Sequence, residues 1–174
     1  MVKVIIRRSL PNDAKLLSQL SERTFIDSFG HTCSEFDMSD FVARYFSEDR
    51  ILEELSDQED HYYLAFIDDF PVGYMRLKEG YEEYPAIQKY KAIELKRIYI
   101  LKEYQSQKVG AALLQYAFQL GVSSGYEAIW LGVWEHNLRA IAFYKKYGFE
   151  DTDFTHSFFI GETGSTDHWL IKVF

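Results

Sequence analysis

The sequence predicts an α/β fold, a mixed sheet with helices on both faces, from three observations. A β-rich opening run passes directly into a helical pattern. The second half alternates strand, helix, strand, helix. Two pairs of apolar runs are each separated by turn-forming residues, as antiparallel hairpins require. The chain has 174 residues, enough for one domain spanning 1–174 with a core that needs no disulfide or structural metal.

Val2 to Arg8 reads as the opening strand, and Pro11, Asn12 and Asp13 supply start signals for a helix with apolar positions at Leu16, Leu17, Leu20 and Phe25. From Asp37 to about Leu55, Phe41, Val42, Tyr45, Phe46, Ile51, Leu52 and Leu55 recur at mixed three and four spacing, which predicts one or two amphipathic helices able to cover a substrate cleft. His61–Ile67 and Val72–Lys78 flank the cluster Asp68, Asp69, Phe70, Pro71 and read as a hairpin. Gly80 to Tyr90, with Tyr81, Glu82, Glu83, Tyr84 and Pro85, breaks the pattern and is expected to be a mobile loop. Ala92–Leu101 is the next strand, Val109 to about Ser123 a helix closed near Gly125, and Glu127–Trp134 a strand followed by a helix ending at Gly148. Thr152–Ile160 and Asp167–Val173 form a last hairpin around Gly161 to Thr166.

Composition narrows the function. Hydrophobic residues make up 47% and aromatic residues 17%, which excludes disorder and predicts an aromatic-rich interior. The formal net charge of −8 repels phosphate backbones and anionic membrane surfaces and attracts cationic ligands, so no nucleic-acid or membrane partner is expected. Cys33 is the single cysteine, no signal-peptide pattern opens the chain and no apolar run approaches the ~20 residues of a membrane span, so a cytoplasmic location is expected. The histidines His31, His61, His136, His156 and His168 show no metal-ligand spacing, and no metal is expected. The sequence does not give the oligomeric state, but its Phe, Tyr and Trp content leaves room for an aromatic surface of a homodimer.

Two segments carry chemistry. Between strand and helix, Gln105-Ser106-Gln107-Lys108-Val109-Gly110-Ala111 places small residues where successive N–H groups open at a helix N-terminus, a turn suited to an anion. Lys108 adds a positive charge there; an ordinary turn with a surface lysine is the bland alternative. Further on, Ile129 to Phe149 reads as a buried strand ending at Trp134, Asn137 capping or entering a helix, and Ala140, Phe143, Tyr144 and Tyr147 on neighbouring turns. Taken without its neighbours, Tyr144 is equally a core aromatic whose hydroxyl finds a partner, and Lys146 a solvated helix residue.

Together these segments resemble the GNAT acetyltransferases. Gln105, Lys108 and Gly110 occupy the marked places of the pattern Q/R-x-x-G-x-G/A, with lysine at 108 where glycine is usual. Asn137, Ala140, Ile141, Phe143, Tyr144, Gly148 and Phe149 match N-x-x-A-I-x-F-Y-x-x-x-G-F. The preceding I-W-L-G-V-W-E, at 129–135, is similar to the PaiA-like polyamine acetyltransferases. The resemblance implies a mixed, largely antiparallel central sheet of about seven strands, acetyl-CoA as cosubstrate, and a small-molecule amine such as spermidine or spermine as acceptor. It also implies that Ile98, Tyr99 and Ile100 line the pantetheine, that N–H groups from Gln105 through Ser106, Gln107, Lys108, Val109 and Gly110 to Ala111 cradle the pyrophosphate, and that Asn137 hydrogen-bonds the pantetheine arm. Tyr144 is then the acid for the departing thiolate, and Lys146 approaches the 3′-phosphate.

An attacking amine must lose a proton, and Glu94 is placed to accept it if strand alternation puts Glu94, Lys96, Ile98 and Ile100 on one face. In other GNAT members a glutamate at the corresponding place is the base; the alternative here is a structural ion pair with Lys96 or Arg97. Asp27, His31, Glu82 and Glu83 are secondary candidates for holding a cationic acceptor. A covalent route through Cys33 is weaker, because no motif sets a histidine base beside it. The rival readings are a peptide N-terminal or lysine acetyltransferase, and a non-catalytic acyl-CoA regulator; retention of Tyr144 and Glu94 speaks against the second.

Overall fold

The computed structural model describes residues 3–80, 85 and 87–174. Val2 of the expected first strand, and the loop candidates Glu82 and Glu83, lie outside the described residues. The chain opens with β1 (Ile5–Arg8), a short 3-10 turn at Pro11–Asp13 and α1 (Ala14–Phe29). Pro11 suits a first turn, where its missing N–H would have had no partner. The next amphipathic stretch divides into α2 (Glu35–Phe46) and α3 (Glu48–Ser56) because Ser47 turns extended, ending one helix and capping the other through its hydroxyl.

β2 (Asp60–Ile67) and β3 (Phe70–Lys78) form the expected hairpin, with Asp68 and Asp69 both at positive φ as a two-residue turn of this hand requires. Then follow β4 (Ala92–Ile100), a 3-10 stretch Lys102–Gln107, α4 (Val109–Ser123), β5 (Ala128–Trp134) and α5 (Leu138–Lys146). The last hairpin, β6 (Glu150–Ile160) and β7 (Thr163–Val173), turns more tightly than the expected loop from Gly161 to Thr166. Gly161 adopts φ +58, so the reversal needs only two residues and pairing resumes at Ile160↔Thr163. That extension carries Thr163 to Thr166 into the strand that was expected to begin at Asp167.

Among the described residues the sheet has seven strands in the order β1-β2-β3-β4-β5-β7-β6. Every neighbouring pair is antiparallel except β4 with β5. Helices cover both faces. On one, α4 and Tyr144 of α5 pack on Ile93, Leu95, Ile129, Leu131 and Val133; on the other, α1 and α3 bury Leu17, Leu20 and Ile51 against Tyr62, Leu64 and Tyr74. A third cluster joins Phe25 of α1 to Met38, Phe41, Val42 and Phe46 of α2 and to Ile160 of β6.

The expected alternation along β4 fails at one residue. Arg76 faces Arg97 and Leu77 faces Leu95, which leaves Lys96 as an extra residue without a partner on β3. This bulge resets the faces. Ile98 and Ile100 join Ile93 and Leu95 on the α4 side, while Tyr99 packs with Phe25 and Tyr74 on the α1 side. Glu94 therefore does not share a face with Ile98 and Ile100, correcting the simple period-two reading.

A buried ion network holds the α1 side of β4 to its neighbours. Glu54 of α3 accepts from Arg76 at 2.8 Å and Arg97 at 3.0 Å; Asp60 takes Arg76 in two bonds at 2.6 and 2.8 Å. The Tyr62 hydroxyl donates to Glu54 and accepts from Arg97. Burial raises the Tyr62 phenol far above its ordinary range, keeping its proton in place for that bond. Removing one member of such a set strands the other charges in a dry interior. Glu54→Ala should therefore lower unfolding stability by about 3–5 kcal/mol, read from urea denaturation midpoints, whereas an exposed pair such as Arg44–Asp40 should contribute at most ~0.5 kcal/mol.

Candidate active site

β4 and β5 are hydrogen-bonded over only three residue pairs, Ala92↔Ala128, Ile93↔Ile129 and Glu94↔Trp130. Beyond Glu94 the strands part, and between them opens a cleft of about 800 Å³. Its walls are β4 from Glu94 to Ile100, β5 from Gly132 to Trp134, the first turns of α5, the α1–α2 aromatics and the facing side of β6–β7.

One end of the cleft is built for an anion and an extended polar arm. The α4 ladder begins with Ala112 donating to the Lys108 carbonyl, so the N–H groups of Val109, Gly110 and Ala111 precede it and point out of the helix. Lys108 is left-handed, φ 64 and ψ 14, the backbone that favours glycine. The lysine thus keeps the turn that the family glycine would make, at a cost of about 1–2 kcal/mol. A Cβ at Gly110 would meet Ile100 Cδ1 at 3.3 Å, a tight approach that keeps this position small. Val109 is fully buried, so only its backbone can serve a ligand. Ile98, Tyr99 and Ile100 line the cleft where β4 has no partner on β5, exposing backbone donors and acceptors to an arm lying between the strands. These features fit coenzyme A, with its pyrophosphate at the α4 N-terminus and its pantetheine in the split.

Asn137 caps α5, its Oδ1 accepting from the Ala140 N–H at 3.1 Å, which leaves the amide hydrogens as donors on the cleft wall. Tyr144 lines the cleft from the α4 side, clamped between the rings of Phe143 and Phe149. Burial raises its phenol well above the ordinary tyrosine range, so it holds its proton through neutral and mildly alkaline pH. Lys146 is exposed in the last turn of α5, roughly 13 Å along the helix from Asn137, and is not among the cleft-lining residues. A cation near a helix C-terminus is accounted for by the dipole alone.

Arg139 is the cation that sequence reasoning missed. It stands on the cleft wall in the first turn of α5 and donates to Gln105 Oε1 at 2.8 Å, tying the two motif segments together. An arginine in a first turn opposes the helix dipole, a signal that the position serves something else.

The opposite end is aromatic and acidic. Phe25, Phe29, Phe41, Tyr45, Phe46 and Phe158 wall it, and Asp27 and His31 reach it from the end of α1. Glu94 is buried at the foot of the split, 3.2 Å from Lys96 Nζ, so both the cleft position and the structural ion pair expected for it are present. A further carboxylate, Asp167, leans over Gly132 from β7. Burial raises its carboxyl above the ordinary aspartate range, opposed by the positive fields of His156, Lys96 and His168. The sequence places Asp167 at the start of a strand, but nothing local says that this strand pairs with β5 and faces the cleft. Cys33 is not among the lining residues, and burial with Asp37 nearby raises its thiol, disfavouring thiolate. Among the described residues no group of three or more His, Cys, Asp or Glu is placed to hold a metal, and no helix is long and apolar enough to cross a membrane.

Comparison with known proteins agrees with this geometry. Residues 23–149 match the acetyltransferase (GNAT) family model. An uncharacterized N-acetyltransferase encoded in the pepI 3′ region of Lactobacillus delbrueckii subsp. lactis is 32% identical over 154 residues, 88% of this chain and 87% of that protein. An uncharacterized N-acetyltransferase of Mycobacterium bovis is 28% identical over 160 residues, 92% and 97% of the two chains. Among solved structures, the PaiA N-acetyltransferase of Thermoplasma acidophilum in complex with coenzyme A superposes with a TM-score of 0.80 at 22% identity over 99% of both chains. The ribosomal-protein-S18-alanine N-acetyltransferase of Escherichia coli has a TM-score of 0.72 at 15% identity, over 98% of this chain and 94% of that one. A split parallel pair, an anion-binding turn at α4 and a family match across both motifs place this chain in the GNAT family, as an acetyl-CoA-dependent N-acetyltransferase.

Proposed function

We propose that residues 1–174 act as one catalytic domain that moves an acetyl group directly to a primary amine of a small cationic acceptor such as spermidine or spermine. One observation carries this reading: a single cleft runs through the sheet, with Tyr144 on the α4 side and the carboxylates of Glu94 and Asp167 on the α1 side. The net charge of −8 and the aromatic acceptor wall favour a cation with methylene arms over an anionic or nucleic-acid partner. The single cysteine suits a reducing cytoplasm.

When bound, acetyl-CoA supplies an activated acetyl group as a thioester. Gln105 to Ala111 hold its pyrophosphate through main-chain N–H groups, Lys108 and Arg139 add charge, and Asn137 donates to the pantetheine. Glu94 accepts a proton from the ammonium, freeing the nitrogen lone pair to form the C–N bond. The N–H groups of β4 left without a β5 partner are the donors available to a carbonyl oxygen gathering charge in the split. Tyr144 gives its proton to the sulfur as the C–S bond breaks and regains one from the second proton that the acylated nitrogen sheds, and the neutral phenol that this step needs is the form that burial favours. The elevated Cys33 thiol and its place outside the cleft support direct transfer over an acyl-cysteine.

Four outcomes follow from these roles. Tyr144→Phe should lower kcat by about 10²–10⁴-fold with little change in acetyl-CoA affinity, followed as release of free thiol with spermidine. In the wild type, the raised Tyr144 phenol predicts no loss of kcat from phenol ionisation between pH 7 and 10; a fall in that interval that vanishes in Tyr144→Phe contradicts it. Glu94→Gln should reduce kcat at pH 7 by about 10²-fold and restore part of it as pH rises and free amine accumulates. Arg139→Ala should raise the acetyl-CoA KM by about tenfold while kcat for the bound complex changes less than threefold.

A further inference from the structure

Alternation along β5 sends Ile129, Leu131 and Val133 into the core beneath α4 and leaves Trp130, Gly132 and Trp134 facing the acceptor end. Gly132 opens a pit between two tryptophans. The Asp167 side chain projects over that pit: a Cβ on Gly132 would lie 3.4 Å from Asp167 Oδ2 and 3.6 Å from its Cβ. Asp167 sits opposite Trp134 on β5 and opposite His156 on β6.

The carboxylate makes no hydrogen bond or ion pair within 4 Å among the described residues. The cations near it have other commitments: Lys96 is held by Glu94 at 3.2 Å, and His168, which alternates to the other face, lies 3.6 Å from Asp151. His156, across the strand pair, rests against Trp169. A carboxylate half withdrawn from water without a partner is costly, and burial has already raised its affinity for a proton. Any cation that enters the cleft gains what the protein does not supply. Aromatic residues around it, Trp134, Trp169 and Phe158, favour a cation flanked by methylenes.

Glu94, at the foot of the split, is given to the reacting nitrogen in the proposed reaction, so a second cation needs another partner. We propose that Asp167 anchors a second cationic group of the acceptor, so that this enzyme selects amines carrying a cation besides the one acetylated. The inference rests on the reading of the acceptor as an amine and makes Asp167 a specificity-determining residue, distinct from the proton acceptor. The neutral, isosteric Asp167→Asn removes the anchor.

The experiment compares kcat/KM for pairs matched in length, 1,3-diaminopropane with propylamine and 1,4-diaminobutane with butylamine, with spermidine added, in wild type and Asp167→Asn. The same ligands are titrated calorimetrically into the coenzyme A complex. Wild type should favour the diamine of each pair by at least about tenfold, and in Asp167→Asn that ratio should fall close to one. A wild type indifferent to the second amine, or a variant that keeps the ratio, overturns the anchor while leaving the acetyltransferase reading intact. If no amine is acetylated yet diamine binding still depends on Asp167, the amine reading falls and the cation subsite stands. Should the asparagine variant not fold, judged by thermal melting and coenzyme A affinity, Asp167→Ser supplies the same ratio.

Discussion

The structure turns on one interruption, the parting of β4 from β5 after Glu94↔Trp130. A parallel pair in mid-sheet is normally sealed along its length, because unpaired backbone groups in an interior are costly. Here the seal stops after three pairs, and the exposed donors and acceptors become part of a binding surface. The bulge at Lys96 follows directly, bending β4 where the ladder with β5 ends. Everything chemical in the molecule borders this gap.

An opening through the middle of a sheet needs firm edges. On the β4 side the ion network of Glu54, Asp60, Tyr62, Arg76 and Arg97 ties α3, β2, β3 and β4 into one polar unit beneath aromatic packing. Arg97 also lies over the Phe46 ring at 4.8 Å, joining that unit to the acceptor wall. On the β5 side the long pairing with β7, from Ala128↔Val173 to Trp134↔Asp167, holds the other lip. The two lips are thus fixed by different means, and the gap between them is a property of the fold rather than of any ligand.

The same bulge divides the chemistry. By moving Ile98 and Ile100 to the α4 side, it leaves Glu94 on the α1 side of the cleft, while Tyr144 reaches the cleft from α5 on the other face. In the proposed reaction the proton acceptor and the proton donor thus stand on opposite sides of a thin layer, kept from neutralising each other. Lys108 adapts within this plan: a lysine in a left-handed turn bears a local strain and brings a charge to the anion end.

Much of this was legible in the chain. Local signals are short-ranged, so the helices at Ala14–Phe29 and Val109–Ser123, the Asp68-Asp69 hairpin and the Asn137 cap all follow from neighbours within a few residues. The places of Gln105, Gly110, Asn137 and Tyr144 match the GNAT motifs, and through that resemblance the chain points to a coenzyme-binding frame. What the sequence by itself determined, then, was the order of elements, the family and the anion turn. Tertiary structure alone decided which face Glu94 shares, because one unpaired residue inverts the period-two pattern beyond it. It also decided that Asp167, 73 residues from Glu94 in the chain, faces the same cleft, and that Arg139 meets Gln105. Those facts depend on strand register and on contacts between distant segments, which no local propensity encodes.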